Sequence, residues 1–285
     1  MTTTYTTTMF DSIKKALNKS TSQNDRYKDI LKLQPDNIYT VRLVPNLQDP
    51  EKTFFHYFTH AWESFSTGRF ISCISPQTWG ERDPIAETKY TLMKHGTDEE
   101  KNKAEKILRR ENWLVNVYVI NDPTVPENNG KVKILRFGRQ LHKIIMEAIE
   151  GDDAEDFGSR VFDLSPEGCS FKIKVERQGE YPTYVSSRFE TPKKVKGLSE
   201  DGVADVYDNS TDLETVFPVR SGDELKQTLD EHFFGNSSGD RVWDSEDNSS
   251  SSSKPAESKG DTLDLDSVDP LDDDKVKELL DGLGD

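Results

Sequence analysis

Six short stretches between residues 38 and 176 alternate apolar and polar side chains with a period of two: IYTVRLV (38–44), FFHYFT (54–59), RFISCI (69–74), WLVNVYVI (113–120), KVKILRF (131–137) and SFKIKVE (170–176). That period turns one face of a segment toward a core and the other toward water, so each stretch reads as a β-strand. Helical spacing marks TDEEKNKAEKILRR (97–110), LHKIIMEAIE (141–150) and SGDELKQTLDEHFF (221–234), and Phe10, Ile13 and Leu17 share a helical face near the start. Helices do not alternate regularly with strands, which argues against βαβ units. The expectation is a mixed β/α protein, an antiparallel sheet or small barrel with helical insertions. No internal repeat is visible.

The ordered part is expected to stop near residue 244, where DSEDNSSSSSKPAESKG begins. Serine-rich chain has no apolar surface to offset the entropy of ordering it, so 244–260 reads as a disordered linker. Residues 261–285 follow with ten acids and two lysines. There Leu271, Val276, Leu279, Leu280 and Leu283 are spaced for a short acidic helix against a partner, although alone the segment should be unfolded. At the other end, residues 1–8 are nearly all Thr and NKSTSQND (18–25) reads as a flexible joint. This divides the chain into an arm (1–24), a core (25–243), a linker (244–260) and an acidic tail (261–285), with 197–220 giving no clear signal.

Charge follows the same division. The chain carries −16 overall, but residues 1–196 sum to +2 and residues 197–285 to −18. Such asymmetry points to a nucleic-acid partner or an interaction tail. No apolar run approaches the roughly 20 residues that span a bilayer, and MTTTYTTTMFDSIKK lacks the apolar stretch of a secretory signal. Cys73 and Cys169 lie too far apart in sequence to form a disulfide framework, so the expectation is a soluble protein of a reducing compartment.

Positive charge concentrates in PENNGKVKILRFGRQLHKII (126–145), where Lys131, Lys133, Arg136, Arg139 and Lys143 follow a loop with two prolines and an Asn129-Gly130 turn. Alternation puts Lys131, Lys133, Leu135 and Phe137 on one face and Val132, Ile134 and Arg136 on the other, so phase alone leaves the exposed side open. Surface lysines on a half-buried strand account for the pattern; a cationic groove tracking a polyanion is the sharper reading. Aromatic residues near basic or small ones favour the groove: Trp79, Tyr90, Trp113, Phe137, Tyr181, Tyr184 and Phe189. RQGEYPTYVSSRFETP (177–192) looks too polar for a core, so Tyr181 and Tyr184 are expected outside. Exposed rings among cations suit unpaired bases, whose faces stack, whereas duplex DNA hides those faces. For Trp113 and Phe137 a place in the core competes at least equally.

Catalytic signatures are missing: there is no P-loop, G-x-G-x-x-G, H-E-x-x-H or G-x-S-x-G, so no enzyme is expected. His60, Cys73 and Asp83 offer one local thiolate where structural zinc sites take four ligands, mostly Cys and His. His56 and Asp83 would make only an unusual site.

WLVNVYVINDPTVPENNGKVKILRFGRQLHKI (113–144), with YTVRLVP, KYTLMK and YPTYVSSRF at matching intervals and the Ser-rich, acidic end, resembles the single-stranded DNA-binding (helix-destabilising) proteins of T4-like bacteriophages. The resemblance covers roughly residues 10–285. It implies an OB-like barrel with helical insertions and a protein that coats single strands in replication, recombination and repair. Its partners would be single-stranded DNA, further copies of itself along the DNA and, through the acidic tail, phage replication and recombination proteins. No membrane is implied, and the place of action would be the cytoplasm of the infected host. By motif, the DNA contacts would be Tyr90, Tyr181, Tyr184, Lys131, Lys133, Arg136 and Arg139. Arg109 and Arg110 stand at a family basic cluster, and Trp79 lies one place from a family aromatic.

Two departures stand out. Family members usually carry a small zinc-binding subdomain, here over about 56–95. His60 and Cys73 match two of its ligand positions, but Asp83 and Ala86 stand where a C-x-x-C pair belongs. The expectation is no cofactor, with the subdomain held by packing of Phe65, Phe70, Trp79 and Ile85. The family's self-association segment has its nearest match in Lys14, Lys15, Lys19, Ser20 and Thr21, farther from Met1 than in the family. The competing reading, of another class, is an acidic scaffold or DNA mimic that touches no DNA.

Overall fold

A computed structural model of the chain describes residues 29–235 apart from residue 180. The arm, with Lys14, Lys15, Lys19, Ser20 and Thr21, the linker and the acidic tail lie outside the described residues. Those residues form two units: 29–56 with 112–218, and 57–111 with 219–235. The strand pairings described below are antiparallel.

In the first unit β1 (Asn37–Val44) is the central strand. It pairs with β4 (Leu108–Asn121) on one side and β6 (Phe171–Gln178) on the other. β5 (Val132–Phe137) pairs with β4, and the short β7 (Tyr181–Thr183) and β8 (Arg188–Phe189) pair with β6. The result is a curled antiparallel half-barrel. A bulge in the β1–β4 register between Thr40 and Val41 adds to the bend, because the extra residue increases local twist.

Alternation explains the main core. Tyr39, Val41 and Leu43 of β1, Val115, Val117 and Val119 of β4, and Phe171, Ile173 and Val175 of β6 point to one side and are buried. The helix Arg139–Glu150 closes over them with Leu141, Ile145 and Ala148, one turn apart on a single face. A smaller cluster on the other side of β1 joins Val44, Tyr118, Leu164 and Val206. There Arg42 is fully buried, although it carries a charge. Its Nε donates to Oγ of Ser170 (3.0 Å), Nη1 to the carbonyls of Asp163 (2.6 Å) and Ser165 (3.2 Å), and Nη2 to that of Lys193 (2.6 Å). Arg42 therefore ties two loops to the sheet. Gly168 is required beside it, because a Cβ there would overlap the carbonyl of Asp163 and the Arg42 guanidinium.

The second unit contains the hairpin of β2 (Phe54–Glu63, from Tyr57 onward) and β3 (Phe70–Ile74). In chain order the helices of the described residues are α1 (Pro84–His95), α2 (Asp98–Glu105), α3 (Arg139–Glu150), α4 (Glu200–Asp208) and α5 (Gly222–His232). α1, α2 and α5 belong to the second unit, and its core is Trp62, Ile71, Cys73, Ile85, Ala104, Ile107, Leu225, Leu229 and Phe233. Of the four side chains expected to hold it, Ile85 is in that core. Phe65 and Phe70 are exposed, although the Phe65 ring meets Phe233 edge-on at 5.4 Å, and Trp79 is half-buried.

The helix expected over 97–110 is shorter. Thr97 opens α2 with a reciprocal capping box to Glu100, and β4 already begins at Leu108, so Arg109 and Arg110 are strand residues. α1 went unrecognised in the sequence, as did α4 in the stretch 197–220. No described helix is long and apolar enough to cross a membrane.

Candidate nucleic-acid interface

The loop before β5 sets the basic strand in place. Asp122 is buried, and its Oδ1 accepts from the Thr124 N–H (2.9 Å), the Thr124 hydroxyl (2.8 Å) and the Val125 N–H (2.9 Å). Oδ2 accepts from the Asn128 amide at 2.7 Å. Burial by itself would raise the Asp122 carboxyl, but these hydrogen bonds outweigh it and hold the group below its ordinary range. Gly130, at φ 79°, completes the turn in a conformation that side chains resist. The D-P-x-x-P-E-N-x-G-K motif is thus a self-bonded loop that delivers Lys131, exposed, to the start of β5.

Along β5, Leu135 and Phe137 face the main core, and Lys133 shares their phase. Lys133 lies at the margin, its side chain 14% exposed and its Nζ 3.1 Å from Oδ1 of Asp29. Arg136 points the other way, half-buried. Arg139 is exposed at the first turn of α3. The cations on and beside β5 therefore do not form one exposed row: Lys131 and Arg139 are exposed, Arg136 is half-buried, and Lys133 lies at the margin beside Asp29.

The tyrosines separate in the same way. Tyr181 is 44% exposed on β7. Tyr184 is only 7% exposed and belongs to the main core, correcting the expectation of an open ring. Gln140 of α3 accepts its backbone N–H at 2.9 Å. Phe189 is buried as well, stacked on Phe171 at 4.5 Å, so a polar-looking segment supplies core. Trp113 and Phe137 are core residues, and Trp113 lies between His56 (4.9 Å) and His142 (4.1 Å) in a three-ring stack. Nothing local in the chain announces that stack, because its members are 29 or more residues apart.

Lys172 and Lys174 of β6 were not singled out, although they alternate with core residues and face outward. Their charge is locally balanced, at 3.7 Å from Glu190 and 2.6 Å from Glu176 respectively. A hollow of about 70 Å³ between Lys52 and Glu214 is too small for a nucleotide base with its sugar.

In the second unit Tyr90 is 65% exposed on α1, with Nζ of Lys94 5.6 Å from its ring centre. The i, i+4 spacing puts ring and ammonium on one helical face. Arg109 is exposed, its guanidinium 3.9 Å over the Phe58 ring and hydrogen-bonded to Gln77 at 3.0 Å. Stacking and the hydrogen bond hold the cation in one orientation. Gln77 and Trp79 share a single 3₁₀ turn, Pro76–Trp79. Arg110 is half-buried on β4.

Open rings and oriented cations thus occur in both units, and the family described as gp32 DNA binding protein like matches residues 36–232. The chain belongs to that family. A single-stranded DNA-binding protein of Enterobacteria phage T4 is 26% identical over 204 residues, covering 69% of this chain and 65% of its own. Its counterpart in Enterobacteria phage T2 is 24% identical over 177 residues, covering 61% and 57%. The matched region thus spans less than two thirds of either relative.

Zinc, which the resemblance to this family implies, does not fit the residues at the corresponding positions. Ala86 has no donor. Nε2 of His60 lies 2.8 Å from Oδ2 of Asp83, with both side chains buried. Oδ2 also accepts from the Ser75 hydroxyl, while Oδ1 accepts from the N–H groups of Ile85 (3.0 Å) and Ala86 (3.1 Å). Burial would raise the Asp83 carboxyl, but the hydrogen bonds from His60, Ser75 and Ala86 prevail and lower it. Burial pushes the Cys73 thiol up to about 11, against the opposing charge of Arg220. Nδ1 of His60 makes no hydrogen bond, but one nitrogen is not a structural site. Among the described residues no three His, Cys, Asp or Glu side chains are grouped to hold a metal ion.

Proposed function

We propose that this chain binds single-stranded DNA cooperatively and without sequence specificity, protecting and ordering it during phage DNA replication, recombination and repair. The observation that carries the reading is the open tyrosine–lysine pair on α1, where Tyr90 offers a ring face beside the Lys94 ammonium within the family-matched segment. Family membership and the names of the T4 and T2 relatives support it. Bases stack on Tyr90 and Tyr181, with Trp79 as a further ring. Phosphates are neutralised by Lys131, Arg136 and Arg139 in one unit and by Arg109 and Arg110 in the other. Lys133 and Tyr184, assigned to the contact by motif, act instead at its support. The antiparallel half-barrel is read as OB-like.

Residues 1–24 serve self-association through Lys14, Lys15, Lys19, Ser20 and Thr21. The acidic tail, tethered at high local concentration, competes with DNA for the basic surface and, when displaced, docks replication and recombination proteins. The site of action is the host cytoplasm.

A titration with oligo-dT at two salt concentrations, followed by tryptophan fluorescence, tests the reading. Binding should weaken with salt, with a logarithmic slope of about −0.7 per phosphate contacted. Removing residues 244–285 should strengthen both binding and duplex melting. No binding at low salt would reject the proposal and favour the acidic scaffold, whose support is the −18 balance of residues 197–285.

A further inference from the structure

We propose that the second unit replaces a structural metal ion with a clamp of its own side chains, in which Asp83 and Arg220 take over the joining task of a bound cation. A structural zinc ion joins separate chain segments through one centre. Asp83 performs the larger part of that task here. His60 on β2 and Cys73 on β3 are direct register partners, so their side chains leave the hairpin on the same face. Asp83 stands opposite as the N-cap of α1, and its two oxygens receive His60, Ser75 and the first free N–H groups of the helix. Those four donors leave the buried carboxylate well satisfied, which makes its burial tolerable.

Arg220 adds a tie at the Cys73 thiol. It lies two residues before α5, and its Nη1 donates to Sγ of Cys73 at 3.6 Å. A positive charge thus faces the sulfur, and the segment leading into α5 is fastened to β3. Strand, strand and helix start are the segments a metal centre at these positions would join, and these contacts join them without one and add the approach to α5.

The clamp is two side chains away from a zinc site. Asp83 and Ala86 are the N-cap and N3 residues of α1, positions that face each other across the first turn. Replacing both with cysteine would complete a set with His60 and Cys73. The inference is independent of DNA binding, and its test reads metal content and melting only.

The full chain, expressed in zinc-supplemented medium, is assayed for metal by mass spectrometry and melted with and without EDTA. Wild type is expected to carry only trace zinc and to melt identically in both. Asp83→Asn, which puts an amide N–H₂ or a single carbonyl where two oxygens accept, should melt roughly 5–10 °C lower, again without response to EDTA. The D83C/A86C double variant should take up one zinc per chain and lose melting temperature in EDTA. Stoichiometric zinc in wild type would overturn the proposal, as would an Asp83→Asn variant as stable as wild type. A soluble D83C/A86C chain that takes up no zinc would overturn it too. Should that variant not fold, wild-type metal content and the Asp83→Asn melt decide alone.

Discussion

Replacing Tyr90 and Tyr184 separately by alanine should give opposite results, although both were assigned to the DNA contact by motif. Tyr90 is 65% exposed on α1 and touches little besides the Lys94 ammonium. Its removal should change stability by no more than about 0.5 kcal/mol, as at most surface positions. If a base stacks on the ring, affinity falls by about 1–3 kcal/mol, roughly 5- to 150-fold in Kd. Stacking releases no counterions, so the salt slope should stay as it is. Tyr184 is 7% exposed in the main core, so Tyr184→Ala should cost about 3–5 kcal/mol of stability, as large aromatic truncations do. The DNA affinity of the chains that remain folded should then be close to wild type. Urea denaturation and oligo-dT titration at two salt concentrations measure both quantities for each variant. Unchanged affinity in Tyr90→Ala, or weakened affinity with full stability in Tyr184→Ala, would refute the assignment of one ring to DNA and the other to the core.

Lys131→Ala should make the salt slope shallower by about 0.7 and weaken binding about fivefold at 0.1 M salt, with the difference fading toward 1 M. Lys133→Ala should change the slope less, because Asp29 already lies 3.1 Å from that ammonium; salt titrations of the two variants side by side distinguish them. The Asp122 carboxyl has a folded-state pKa below its unfolded value of about 3.9. Its stabilising contribution is therefore complete above that value and is lost as pH falls through the folded pKa, so Asp122→Asn should flatten the acid limb of stability measured by urea midpoints. Gly168→Ala should destabilise by about 2–3 kcal/mol or more in the same assay, because its Cβ would collide with the loop that Arg42 holds. Deleting residues 1–22 should abolish cooperative binding to long single strands while leaving affinity for short oligonucleotides nearly intact; unchanged cooperativity would exclude the arm.

The strands were legible because alternation is a local property: Phe171, Ile173 and Val175 announce a buried face in any context. Helix α1 was not, because Asp83-Pro84, a helix-start signal, also stood at a metal-ligand position and was weighed as one. Arg42 lies in a stretch read only as a strand, and the approach of three loop carbonyls and a serine from distant segments makes it a buried tie. The open rings at Tyr90 and Tyr181 were found by motif, and by the same motif Tyr184 was misplaced.

The sequence alone determined the strand-rich architecture, the separation of charge between the core and the acidic end, and a set of basic and aromatic residues suited to a polyanion with unpaired bases. Each of these depends on residues near one another in the chain. Tertiary structure decided which of those residues are available: Lys133 lies beside Asp29, Tyr184 is part of the core, and Tyr90 and Tyr181 stay exposed. Availability depends on what packs against a side chain from distant segments, and that partner is fixed only when the chain has folded.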